Sequence, residues 1–143
     1  MAVRQLSIFL ENRKGRLAAV TQILAEAGID ICALSVADTS EFGILRLLVN
    51  DVAGAEAVLK KNNVSVHIND VTAVEVDKQP GGLCKVLSLL TDTNVNVEYM
   101  YTVAQHCVGN PVLVLRFSEP GIARNILRNN GVHLLDESEL GMK

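Results

Sequence analysis

The chain carries one sequence pattern twice. Glu11-Asn12-Arg13-Lys14-Gly15-Arg16-Leu17 opens an apolar-periodic helix, and Asp77-Lys78-Gln79-Pro80-Gly81-Gly82-Leu83 opens another 66 positions later. Repetition at this length means that two copies of one small module fill the 143 residues. It also directs the search for function, because the seam between duplicated modules is concave and lined from both sides.

Each copy reads as strand, helix, strand, strand, helix, strand. In residues 3–10, Leu6, Ile8 and Leu10 alternate with Gln5 and Ser7, as in a half-buried strand. Leu17, Val20, Leu24 and Ala27 recur at helical spacing, and Gly28 is the expected stop. Residues 29–36 and 44–49 read as strands around a polar connection at 38–43. Val52, Ala55 and Leu59 mark a short helix ending near Asn62-Asn63, and residues 64–68 alternate again. The second copy repeats this with Thr72, Val74 and Val76, then Leu83, Val86 and Leu90. Asn94 stands where Gly28 stands, which predicts a left-handed residue at the helix end. Residues 95–103 and 112–117 follow as strands, with Ala123 and Leu127 in the last helix. The offset grows to 68 because the connection at 104–111 is longer. Residues 136–143 are polar and predict a loose tail. No flexible linker separates the copies, since Ile68-Asn69-Asp70-Val71 leads straight from one strand to the next. The expected class is α+β: two ferredoxin-like βαββαβ modules, residues 1–70 and 71–143, each an antiparallel sheet with helices on one face.

Composition narrows the function. The net charge is −3, against a nucleic-acid binder, which carries a basic face, and against an anionic membrane surface. No run of about 18 apolar residues and no signal-peptide start is present. Cys32, Cys84 and Cys107 are odd in number and widely spaced, so reduced thiols and a cytoplasmic setting are expected. Cys84 aligns with Ala18 and reads as a small core residue. His67, His106 and His133 are scattered, and the adjacent His106-Cys107 suits chelation poorly, so no metal site is expected. Tyr99-Met100-Tyr101 reads as packing. No catalytic triad, phosphate loop or dinucleotide fingerprint is recognisable, and no cofactor or catalytic residue is assigned.

Asp77-Lys78-Gln79-Pro80-Gly81-Gly82-Leu83 followed by Asn94-Val95-Asn96-Val97 resembles the ACT domain. A strand ending in an acid leads through a Pro/Gly loop to a helix-opening Leu, and a turn then enters an Asn-hydrophobic strand. Glu11 to Leu17, followed by Ala27-Gly28-Ile29-Asp30-Ile31, resembles it less closely, with Lys14 for the proline and Asp30 for the asparagine. The resemblance spans nearly the whole chain. It implies a regulatory, non-catalytic tandem ACT protein that binds a free amino acid, pairs side by side through strand edges, and acts on a regulated enzyme or regulator.

The physics of the loops fits such a ligand. A helix start presents unpaired N–H groups and a partial positive charge, which suit a carboxylate. Gly15, Gly81 and Gly82 allow close approach, although Gly and Pro also shape any strand-to-helix turn. Asp30 or Asn96 can accept a hydrogen bond from an ammonium group. The expected ligand-binding residues are Asn12, Arg13, Lys14, Gly15, Arg16 and Leu17, with Asp30 and Ile31, and Gln79, Pro80, Gly81, Gly82 and Leu83, with Asn96 and Val97. The amine is expected to meet Asp30 or Asn96 of the opposite copy, across the seam. Two rivals remain open: an acylphosphatase-type enzyme using Arg13 or Arg16, and a ligand-free assembly module. Leu17, Val20, Leu24, Leu83, Val86 and Leu90 are expected between helix and sheet. A bare second sheet face predicts a homodimer.

Overall fold

The computed structural model describes residues 2–38, 42–104 and 109–143. The His106-Cys107 pair and part of the 38–43 connection lie outside the described residues. The chain divides into two compact units, one made of Arg4–Asn69 with Gly141–Lys143, the other of Asp70–Leu140 with the first residues of the chain.

The N-terminal unit contains β1 (Val3–Glu11), α1 (Arg16–Glu26), β2 (Ile31–Asp38), β3 (Phe42–Val49), α2 (Val52–Lys61) and the first part of β4 (Val66–Glu75). Its strand order is β2-β3-β1-β4. The pairing of β1 with β3 sets Leu6 against Leu47, Ile8 against Leu45 and Leu10 against Gly43. Alternation then puts these residues on one face, where Val20, Leu24, Val52, Ala55 and Leu59 bury with them. The C-terminal unit contains the rest of β4, α3 (Gly82–Ser88), β5 (Val97–Thr102), β6 (Val112–Phe117), α4 (Pro120–Asn129) and β7 (Leu134–Leu135). Its order is β5-β6-β4-β7. Val74, Val76, Val86, Leu90, Leu113, Leu115, Phe117, Ala123 and Leu127 form its hydrophobic core, in which Phe117 is the one aromatic residue of this set. The seven described strands pair antiparallel, so each unit is a ferredoxin-like βαββαβ module. The last strand of the first copy and the first strand of the second are continuous in β4.

Three helices end alike. Beyond α1, Gly28 takes φ 72° and the Ile29 N–H donates to the Leu24 carbonyl at 3.0 Å. Asn63 (φ 60°) and Gly131 (φ 78°) do the same beyond α2 and α4, with Val64 N–H to Leu59 and Val132 N–H to Leu127. This six-to-one bond satisfies a carbonyl the helix cannot, and needs a residue tolerant of positive φ. The expectation for Asn94 fails, because α3 stops early at Ser88 and Asn94 has no positive φ. Side chains close that end instead: the Thr93 hydroxyl donates to the Leu90 carbonyl at 2.6 Å and accepts from the Val95 N–H at 3.1 Å.

Four further expectations are corrected. Leu17 lies 44% exposed rather than under α1, because it sits in the first helical turn near the sheet edge, whereas Val20 and Leu24 are buried and Leu83 packs partly on the core. Cys84 is exposed, since its equivalence to Ala18 places it on the outer face of a short helix. The tail is not loose: Met142 is buried, and the Lys143 N–H donates to the Asn50 carbonyl at 2.7 Å. A bare second sheet face is absent from β4 and β6, where Val71, Ala73, Val112 and Val114 are buried as fully as the helix-facing residues.

Candidate functional site

The two loops adopt the same turn. Gly15 precedes α1 with φ 88° and ψ −9°, and Gly81 precedes α3 with φ 90° and ψ 0°. Both are left-handed, a conformation costly for a residue with a Cβ. In each loop the first helical N–H turns back, from Arg16 to the Arg13 carbonyl at 3.2 Å and from Gly82 to the Gln79 carbonyl at 3.1 Å. The next bond of each helix runs from Ala19 to Gly15 and from Lys85 to Gly81, both at 2.9 Å. Neither helix has a capping side chain. The N–H groups of Leu17 and Ala18, and of Leu83 and Cys84, are thus without a hydrogen-bond partner among the described residues. By contrast, Asp51 caps α2 by accepting from the Gly54 N–H at 3.0 Å. α4 likewise has no capping side chain, so what sets the two repeated loops apart is the left-handed glycine before each start, and free N–H groups there are the feature an anion would use.

The two copies differ in what frames the loop. In the second, Asp77 Oδ1 accepts from the Gln79 N–H at 3.0 Å, and a Cβ at Gly82 would run into the Asp77 carbonyl. Gly82 is therefore required by backbone packing, while Gly81 is required by its φ. In the first, the Arg13 N–H bonds the Glu11 carbonyl at 2.8 Å, and the Arg13 guanidinium pairs with Glu11 at 2.9 Å. That pair is largely exposed and contributes little to stability. Asn12 and Lys14 are exposed, as are Gln79 and Pro80, whereas Arg16 is half-buried with its Nε unpaired.

Asp30 and Asn96 are also equivalent. The Asp30 N–H donates to Asn50 Oδ1 at 2.9 Å, and the Asn50 N–H to the Asp30 carbonyl at 3.1 Å. The Asn96 N–H donates to Ser118 Oγ at 2.9 Å, and the Ser118 N–H to the Asn96 carbonyl at 2.9 Å. Immediately beyond, Ile31 pairs with Val49 and Val97 with Phe117, and each strand is bulged before its next pair. Bulges re-aim side chains and recur beside sites. Both carboxyl and amide side chains are exposed. Sequence reasoning missed Asn50 and Ser118, although both are polar residues directly after equivalent strands at the offset of 68. Cys32 lies close by, where burial, and secondarily Asp30, push its thiol up.

Within a unit the loop and the acid or amide do not meet. Leu10 pairs with Gly43 and Asp38 with Gly43, so the loop after β1 lies at the far end of β2 from Asp30. In the other unit Glu75 pairs with Val112 while Val97 pairs with Phe117, again placing the loop and Asn96 at opposite ends. What the first loop does adjoin is a small cavity of about 140 Å³, lined by Leu10, Glu11, Asn12, Arg13, Leu17, Val36 and Gly43. Leu34 and Val36 share the face of Leu47 and Leu45, yet are 50% and 46% exposed because β2 is an outer strand. With Leu17 they are exposed apolar residues of the same unit.

No helix among the described residues is long and apolar enough to cross a membrane, and no group of metal-ligating side chains occurs among them. No curated protein matches the chain. A crystal structure of a Bacteroides thetaiotaomicron protein is similar over 99% of this chain and 96% of its own, at 40% identity and a TM-score of 0.91. The regulatory subunit of aspartate kinase from Thermus thermophilus, in a ligand-free form, shares the fold at 15% identity and a TM-score of 0.60, over 88% of this chain and 90% of its own. That from Thermus flavus does so at 17% identity and a TM-score of 0.57, with the same coverage. A family model described as ACT domain pair matches residues 1–143. The twin loops, the twin braced strands and this match agree: the chain belongs to the ACT domain pair family.

Proposed function

We propose that this chain is a non-catalytic regulatory protein that senses a free amino acid. The observation that carries the reading is the pair of uncapped helix starts behind left-handed Gly15 and Gly81. The ligand carboxylate lies on the N–H groups of Leu17 and Ala18, or of Leu83 and Cys84. Its amine meets the Asp30 carboxylate or the Asn96 carbonyl oxygen. Because one unit holds loop and acid at opposite ends, that second partner comes from another ACT unit. Asn12, Arg13, Lys14 and Arg16 border the first loop, Gln79, Pro80 and Gly82 the second, and Ile31 and Val97 fix the strand starts. Regulatory subunits of aspartate kinase share the fold, which supports a regulated enzyme as the downstream partner.

Leu17, Leu34 and Val36 leave apolar area at an outer strand edge, so a second copy pairing there completes the reading as a homodimer. Acylphosphatase-type chemistry needs an Arg and an Asn to converge, and within each unit the loop is remote from the Asp30 or Asn96 position. Calorimetry against the common amino acids tests the proposal. Saturable heat with one or a few supports it; silence with all of them, or turnover of an acyl phosphate, refutes it.

A further inference from the structure

The C-terminal unit holds a cavity of about 560 Å³ that shares Asp77 and Gly82 with the second loop but otherwise lies outside the residues of the amino-acid reading. Glu75 at the end of β4, Asp77, Gly82 and Lys85 of α3, Asn110 and His133 line it, together with the turn at 130–132. The duplication provides an internal control on this lining. At the matching positions the N-terminal copy has Phe9, Glu11, Arg16, Ala19, Phe42 and Ser65. The same fold therefore stands without Glu75, Lys85, Asn110 or His133, and the polar set is not a requirement of the module. Gly82 leaves its position without a side chain, whereas Arg16 of the other copy carries a guanidinium there with its Nε buried.

We infer that this cavity binds a small organic cation bearing a guanidinium or primary ammonium group. Glu75 Oε1 accepts from Asn110 Nδ2 at 2.9 Å and Asp77 Oδ1 from the Gln79 N–H at 3.0 Å. Each carboxylate has a second oxygen that can accept from a ligand. The end of α4 reaches the cavity at Asn130 and Gly131, and a helix C-terminus carries partial negative charge. Lys85 is the opposing charge, and the His133 ring is held by Glu139 at 2.8 Å. Charge-assisted hydrogen bonds to a half-buried carboxylate are strong enough to select a cation.

The cavity adjoins the second amino-acid loop, but the test is distinct from that of the amino-acid reading, because the probes carry no carboxylate. Agmatine and methylguanidine are titrated calorimetrically into the full chain at low salt, with acetate as control. Saturable binding of a cation and none of acetate is expected. Glu75→Gln, which keeps a partner for Asn110, weakens it by about tenfold or more. Lys85→Met removes the opposing charge and tightens it, a gain that unfolding cannot imitate. No binding of either cation, an affinity unchanged in Glu75→Gln with wild-type circular dichroism, or no gain in Lys85→Met would overturn the inference.

Discussion

Gly81 gives the sharpest test of the loop. It holds φ 90° and ψ 0°, and a Cβ built on it meets nothing within 4 Å. The cost of a side chain there is therefore conformational rather than steric. Alanine should cost about 1 kcal/mol and valine, branched at Cβ, about 2–3 kcal/mol. For a chain of this size the melting temperature falls roughly 3 °C per kcal/mol, so Gly81→Val should melt about 6–9 °C lower. Gly82 makes the contrast. Its φ is ordinary, but its Cβ would strike the Asp77 carbonyl, so Gly82→Ala should cost more than Gly81→Ala. Thermal melts of the three variants check the order. A Gly81→Val chain that melts with wild type, or a Gly82→Ala chain milder than Gly81→Ala, refutes the geometry. The ligand arm is separate. Bound amino acid raises the melting temperature by mass action, and a rise that survives unchanged in both Gly15→Val and Gly81→Val would move the receptor elsewhere.

The remaining expectations concern the frame. Asp51→Ala removes the cap on α2 and should cost about 1 kcal/mol in a urea melt, whereas no loss would mean the cap does not form. Met142→Ala opens a buried position in the tail and should cost about 2 kcal/mol, while a neutral result would restore a loose tail. In a Cys107→Ser background, a maleimide should modify exposed Cys84 quickly and Cys32 slowly, because Cys32 is buried and its thiol is pushed up; equal rates contradict this. Hydrogen bonds from Ser138, and then from the Glu139 N–H, hold the Asp136 carboxyl below the usual range. A lowered carboxylate adds stability that is present above its unfolded value and lost as pH falls through its folded one. Ser138→Ala should raise the Asp136 value in an NMR titration, and an unmoved titration counts against the turn.

The fold was legible because its signals are local and doubled. Leu6, Ile8 and Leu10 alternate, Val20 and Leu24 recur at helical spacing, and each pattern returns at the same offset. Gly28 and the Asn62-Asn63 pair marked helix ends because positive φ is a single-residue requirement. The errors came where a tertiary choice overrode the local one. Asn94 resembles Gly28 in sequence, but Ser88 and Thr93 end α3 through their own hydroxyls first. Leu17 has the right spacing and the wrong turn of the helix. Met142 is one apolar residue in a polar tail, and nothing near it in sequence announces its burial or the bond from Lys143 to Asn50. The candidate site was legible only in part. Gly15 and Gly81 announced the turn, whereas the bracing of Asp30 by Asn50, and of Asn96 by Ser118, spans 20 and 22 positions and has no local signal.

The central claim is that the two uncapped helix starts receive an amino-acid carboxylate, and amide NMR of the labelled chain tests it most directly. Each common amino acid is titrated in turn, followed by the decarboxylated amine of any that binds. The account predicts saturable shifts at Leu17 and Ala18, or at Leu83 and Cys84, with the amino acid and not with its amine. Shifts confined to other amides, equal shifts with the amine, or no shift with any amino acid would contradict it.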